Sequence, residues 1–327
     1  MRKNLLFLGF VLCFLGVSVL TISAAGATDR QQGDFPTRAV EVTVVFGAGS
    51  AADNIARVFS DLLSQELGRP FPIVNRTGGG QAIAYNHAVN QRPDGYSMIW
   101  TSNGLFTAYN LGTLDFNHTA FRNIARISYE PVAIAVRADA PWRTMEEFFA
   151  HISNNPGTIR IGNSGAGTYT HLVAAALEDK ANSTVVHVPF GQGMAFASLL
   201  GGQIEASIQL PSEAMAQYEA NQLRFLAISS AERIGALPNV PTFKESNIDL
   251  EMILWRGLAV PRGTPDNVVR TLENAVRNIV ASDEFRRFSD LASIIPAFMP
   301  EDEFEQFLAE DNIITRDLMR AIGSSVR

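Results

Sequence analysis

The feature that most constrains the fold of this chain is alternation. Short β-branched or apolar runs recur along it, each followed by a stretch of helical periodicity. Runs suited to strands lie at residues 40–46, 71–75, 97–101, 132–137, 158–162, 185–188, 204–209, 224–229 and 257–260. Between them, amphipathic stretches carry helix-start signals. Thr144-Met145-Glu146-Glu147 opens a helix reaching Ser153, and Thr264 caps one over 265–281 with proline in its first turn. Strands separated by helices need crossover connections, so the pattern predicts an α/β protein on mostly parallel sheets flanked by helices. No internal repeat is visible, and 327 residues suffice for two domains or lobes.

The formal net charge of -7 leaves no basic stripe, so no nucleic-acid partner is expected. Arg2 and Lys3 precede an apolar run over 5–22. Ser23-Ala24-Ala25-Gly26-Ala27 then supplies small residues, with Ala25 and Ala27 in an A-x-A arrangement. Residues 1–27 read as a secretory signal peptide, and the mature chain begins near Thr28. The competing reading is an uncleaved anchor, because the run is close to bilayer-spanning length, although Gly9 and Gly16 interrupt it. The single cysteine, Cys13, lies inside the run and leaves with it. A mature chain without cysteine has no disulfide, thiolate nucleophile or cysteine metal site.

Two strand-loop-helix passages invite a chemical reading. In VTVVFGAGSAAD, residues 42–53, the spacing of Gly47, Gly49 and Ala52 matches G-x-G-x-x-A, the dinucleotide fingerprint. A nicotinamide enzyme would need an acidic residue at the end of the second strand, where Asn75 and Arg76 stand instead. What remains is a glycine turn before a helix whose start Ser50-Ala51-Ala52-Asp53 fits a capping box. Its free N–H groups and helix dipole suit a carboxylate or phosphate, and a turn without a ligand is the alternative. The second passage, GNSGAGTYTHLVAAALE over 162–178, resembles a nucleophile elbow, but Ala166 stands where G-x-S-x-G requires glycine. No nucleophile with a base in reach is evident, which argues against an exported hydrolase. His87, His118, His151, His171 and His187 form no metal-binding spacing. Glu146/Glu147 and Glu301/Asp302/Glu303 sit at helix starts, where the dipole accounts for them. No cofactor or metal is expected.

Several blocks together resemble one family: FPTRAVEVTVVFGAGSAADNIAR, VNRTGGGQAIAYNHAVNQRPDGYSMIWTSNG, IGNSGAGTYTHL, HVPFGQG, LGGQIEASIQLPS, RFLAISSAERIGALPNVPTFKES and WRGLAVPRGTPDNV. They are similar to the TctC or Bug proteins, extracytoplasmic solute-binding receptors of tripartite tricarboxylate transporters. The resemblance runs from about Phe35 to the C-terminus. It implies a two-lobed periplasmic binding protein of the Venus-flytrap, type II-like kind, located in the periplasm, monomeric and without catalysis. Its implied partners are a small organic carboxylate and the membrane subunits of the transporter. A receptor presenting the same ligand to a two-component sensor is the alternative role.

The resemblance further implies lobe one at 35–129 plus 255–327 and lobe two at 130–254. One βα loop from each lobe would grip the ligand carboxylate. In lobe one these residues are Phe46, Gly47, Ala48, Gly49, Ser50, Ala51 and Ala52; in lobe two they are Ser164, Gly165, Ala166, Gly167, Thr168, Tyr169 and His171. The family's prolines and extra glycines are missing from the first loop. An aromatic-Lys-Gly segment appears as Phe190-Gly191-Gln192-Gly193, and loss of its lysine makes a tricarboxylate less favoured. Asn75, Arg76, Ser102, Asn103, Gln209, Trp255 and Arg256 are further wall candidates, Arg256 alternatively bracing the hinge. Asp53, repulsive to an anion, is expected to cap Ser50 and face away, with contact to a ligand amine as the alternative.

Overall fold

The computed structural model describes residues 35–190, 194–321, 323 and 326; residues 1–27, read above as a signal peptide, and Gln192 lie outside the described residues. In chain order the elements are β1 (Glu41–Val44), α1 (Ala51–Leu67), β2 (Ile73–Asn75), α2 (Ala82–Val89), β3 (Ser97–Ser102), α3 (Gly104–Asn110), β4 (Phe121–Pro131), β5 (Ala133–Arg137), α4 (Met145–Asn154), β6 (Arg160–Asn163), α5 (Tyr169–Lys180), β7 (Val186–Pro189), α6 (Met194–Leu200), β8 (Ala206–Gln209), α7 (Met215–Glu219), β9 (Leu223–Ile228), β10 (Ile253–Pro261), α8 (Asp266–Ala281), α9 (Asp283–Ala292), β11 (Ile295–Pro300) and α10 (Glu301–Ala321).

The strands form two sheets, one per lobe, in the orders β11-β4-β10-β3-β1-β2 and β7-β6-β8-β5-β9. The expected parallel pairing is only half present. β1 is parallel to β2 and β3, and β6 is parallel to β7 and β8. β10 runs antiparallel to β3 and β4, β11 to β4, and β5 to β8 and β9. The sheets are therefore mixed, because the strands that carry the chain from one lobe to the other enter each sheet against its βα units.

Alternation along the strands explains how each sheet is covered on both faces. Val42, Val44, Met98, Trp100, Leu258 and Val260 point toward α1, α8 and α9, packing on Phe59, Leu272 and Phe285. Val45, Ile99, Trp255 and Ala259 point the other way, onto Tyr85, Phe106, Phe304 and Leu308. In the second sheet Ile134 and Val136 meet Phe148, Leu172 and Leu177, while Ala133 and Ala135 meet Phe196 and Leu199. Helix α10 contributes to both lobes, with Phe304 and Leu308 in one core and Met319 in another.

Local signals acted largely as their chemistry dictates. Ser50 caps α1 by accepting from the Asp53 N–H at 3.2 Å, and Thr144 caps α4 from the Glu147 N–H at 3.3 Å. The expected Thr264 cap is not formed. Pro265 occupies the cap position of α8, and the Thr264 hydroxyl donates to the Pro261 carbonyl at 2.8 Å instead.

Two segments pass between the sheets, through Val132 and Met252, and one buried serine stitches them. The Ser229 N–H donates to the Val132 carbonyl, and its hydroxyl accepts from the Val132 N–H at 2.8 Å. The Ser229 carbonyl and hydroxyl then serve the Met252 N–H and carbonyl. Nearby, β10 crosses α10 at Gly257, where an added Cβ would lie 2.7 Å from Phe304 Cζ and 2.9 Å from the Ala125 carbonyl oxygen. Gly257→Ala should destabilise the fold by about 1–3 kcal/mol through overpacking. Urea unfolding measures this, and an unchanged midpoint would refute so close a crossing.

Candidate functional site

A cleft of about 360 Å³ opens between the two lobes. From the first lobe it is lined by Phe46, Gln81, Ser102, Asn103, Thr107 and Leu111, among others. From the second come Ser164, Ala166, Gly167, Thr168, Tyr169, Thr170, Leu210 and Glu213; Leu254 and Arg256 of β10 also line it. Its walls are mainly apolar with a few polar groups, the usual constitution of a small-molecule site.

The loop before α5 spends most of its donors on itself. The Ser164 N–H donates to Thr170 Oγ1 (2.9 Å), Gly165 N–H to Asn163 Oδ1 (3.0 Å), Gly167 N–H to His171 Nδ1 (3.0 Å) and Thr168 N–H to the Gly165 carbonyl (3.2 Å). The Ser164 hydroxyl donates to Gln209 Oε1 at 2.6 Å, and that of Thr168 to the Gly165 carbonyl at 2.7 Å. The N–H groups of Ala166, Tyr169 and Thr170 make no bond within this loop. The last two belong to the first turn of α5, whose N–H groups lack intrahelical acceptors and sit at the positive end of the dipole. An acceptor-rich anion placed there meets ready donors. Gly167 adopts φ +73°, which only glycine takes freely, and this lets the loop turn back toward His171.

The loop before α1 is arranged differently. Asp53, 1% exposed, accepts from the Gly49 N–H (2.8 Å), Arg57 Nε (2.9 Å) and Asn75 Nδ2 (2.7 Å). Burial pushes its carboxyl up, but the bonds from Arg57, Asn75 and Gly49 and the Arg57 charge outweigh this and hold it below the ordinary range. Asn75 also donates to the Phe46 carbonyl at 3.0 Å, fixing the strand end to the helix. Phe46 alone of this loop lines the cleft; Gly47, Ala48, Gly49, Ser50, Ala51 and Ala52 lie outside its lining, as does Asn75.

The remaining expected residues divide in the same way. Ser102 and Asn103 line the cleft, whereas Gly165, Phe190, Gln209 and Trp255 do not. Trp255 is fully buried behind it, Nε1 donating to Asp311 Oδ2 at 2.7 Å. Asn103 orients the wall, accepting from the Trp255 N–H at 2.9 Å and donating to Asp311 Oδ2 at 2.9 Å. His171 turns toward a separate hollow, shared with His187 and Glu178 on the second lobe. Among the described residues no cluster of His, Cys, Asp and Glu could hold a metal ion.

Sequence reasoning missed Thr170, Gln81, Thr107, Leu111, Leu210, Glu213 and Leu254, among others. Glu213 had a visible signal, a carboxylate four residues past a buried strand in QLPSE. The floor of the cleft is charged. Arg256 Nε donates to Glu130 Oε1 at 2.9 Å, both side chains 2% exposed, and the guanidinium lies over the Phe46 ring, 5.1 Å from its centroid.

Asp311, on α10, is the other buried carboxyl near the cleft. Burial raises it to about 6, against the bonds from Trp255 and Asn103, which lower it. A folded value above the unfolded one favours the native state at low pH, and this contribution fades as pH rises through about 6. Asp311→Asn should therefore gain stability relative to the parent between about pH 4 and 6 and hold that gain above it. Asp311→Ala instead strands two buried donors, at a cost of about 1–3 kcal/mol each. Melting temperatures of both variants across this range check the sign.

The geometry now has a context. A crystal structure of a TctC solute-binding protein from Polaromonas is 37% identical and superposes with a TM-score of 0.77, covering 88% of this chain and 99% of that one. MatC from Rhodopseudomonas palustris with bound malate is 25% identical, TM-score 0.72, covering 87% and 99%. Protein BugT of Bordetella pertussis is 22% identical over 323 residues, 97% of this chain and 98% of the relative. The tripartite tricarboxylate transporter family receptor signature matches residues 55–324. This chain belongs to that family of TctC/Bug solute-binding receptors, which have the periplasmic binding protein fold and are not enzymes.

Proposed function

We propose that this protein is exported to the periplasm, captures a small organic carboxylate between its lobes and hands it to the membrane subunits of a tripartite tricarboxylate-type transporter. The observation that carries the reading is the start of α5. The free N–H groups of Ala166, Tyr169 and Thr170 face a mainly apolar cleft that residues of both lobes close from opposite sides. Malate in the related MatC supports a carboxylate as the ligand class. The first residues, read as a cleaved signal peptide, support export.

Within this reading the lobes comprise 35–129 with 255–327, and 130–254, and close by bending where Ser229 ties Val132 to Met252. Contacts to both lobes would make the ligand favour the closed state. A thermal-shift screen of carboxylic acids should find one that, at a hundred times its Kd, stabilises the native state by about 2.7 kcal/mol. No shift with any carboxylate would reject the function. Small-angle scattering with that acid should show compaction, and an unchanged radius would reject closure. Gly167→Val, which strains a positive φ and brings a branched side chain against Leu111, should weaken binding about tenfold or more. Calorimetric titration reads it, and wild-type affinity would place the ligand elsewhere.

A further inference from the structure

Charge in the ligand cleft is unevenly matched. Arg256 and Glu213 are the charged side chains of its lining. The charge of Arg256 is already balanced by Glu130, whose Oε1 accepts from Nε at 2.9 Å, although Arg256 Nη1 is buried without a partner. Glu213, carried by the turn Pro211–Glu213 after β8, makes no side-chain hydrogen bond or ion pair with any described residue, and its Oε2 is buried without a partner. An ionised carboxylate removed from water without a counter-charge is costly, so the site is incomplete until something supplies one. A second ligand carboxylate there would add repulsion; an ammonium group would remove the imbalance.

We propose that Glu213 receives an ammonium group of the ligand, so that the cleft takes an amino acid, as a chemical class, in preference to a di- or tricarboxylate. This rests on the reading that the start of α5 holds the ligand's carboxylate. Donors for the anion lie on one wall, at Ala166, Tyr169 and Thr170, and the one unpaired carboxylate of the lining, which can meet a cation with opposite charge where the unpartnered Gln81 Oε1 offers only a neutral acceptor, stands on a separate turn after β8. A ligand with both charges answers both. Burial and the charge of Glu130 push Glu213 up to about 7, with Arg256 opposing them. That is the condition of a carboxylate lacking a counter-ion, and a bound cation would draw it down. Asp53, the other carboxylate near the ligand loops, is committed to Gly49, Arg57 and Asn75 and cannot serve.

The test is calorimetric titration of wild-type protein, purified through unfolding and refolding to remove carried ligand, with pairs differing by the ammonium group. Suitable pairs are L-aspartate and succinate, L-glutamate and glutarate, L-leucine and 4-methylpentanoate, and L-phenylalanine and 3-phenylpropanoate. Wild type should bind the best amino acid about tenfold or more tighter than its partner, the range of one charge-assisted hydrogen bond. Glu213→Gln should abolish that preference and tighten the dicarboxylates; should it not fold, Glu213→Ser replaces it. Tighter binding of the des-amino acids by wild type would overturn the inference while leaving the carboxylate function standing. A preference for amino acids that survives in the folded variant would overturn the role of Glu213. Binding of neither member of any pair would overturn this inference and the proposed function together.

Discussion

The pairing of β4 with β10 is the constraint on which the rest of the molecule depends. These are the strands by which the chain leaves the first lobe and returns to it, and they run antiparallel from Ile253↔Pro131 to Pro261↔Phe121. The register slips between Arg256 and Gly257, opposite Ser128 and Arg126. Such an irregularity re-aims side chains. Here it lies where Arg256 meets Glu130 and the cleft, and where Gly257 lets α10 pass. The ion pair itself is no evidence of added stability, since desolvating both charges offsets their attraction. Removing one partner would be severe, of the order of 3–5 kcal/mol. Its contribution is to balance the charge of the arginine that lines the cleft, leaving Nη1 of that side chain without a partner.

Much of the frame was legible in the sequence because it rests on local rules. Apolar runs with period two and capped amphipathic segments located most of the strands, together with α1, α4 and α8, within a few residues. β4 and β11 escaped for physical reasons. In β4 the apolar positions are interrupted by Arg122, Asn123, Arg126 and Glu130, whose partners Glu301, Glu305, the Ala297 carbonyl and Arg256 come from distant parts of the chain. β11, Ile-Pro-Ala-Phe-Met-Pro, has prolines at both ends of an edge strand and no buried residue.

Of the two loops singled out in the sequence, the second lines the cleft and the first contributes Phe46 alone, and neither could be read as a hydrogen-bond inventory. A glycine-rich turn before a helix advertises backbone donors, and sequence cannot say which of them the loop's own side chains will claim. Asp53 takes the Gly49 N–H, and Asn163, His171 and Thr170 take three more in the second loop. The donors left over make the proposed anion site narrower than glycine spacing alone suggests. Glu213 offered the sequence only its place four residues past a buried strand. It acquires meaning only when β8 delivers its turn beside Glu130 and Arg256.

Helix α10 changes how the two lobes can be imagined to move. Its 21 residues begin against Phe304 and Leu308 in the first core and end with Met319 in the core of the second. A pair of lobes joined only by crossing strands could swing like a book on its spine. A rigid rod anchored in both covers makes the assembly closer to a braced frame. Any rotation must either keep its axis near the rod or slide Met319 within its socket. In the proposed closure this helix would limit the range and direction of movement, and it would do so from behind the wall of the cleft, where Asp311 holds Asn103.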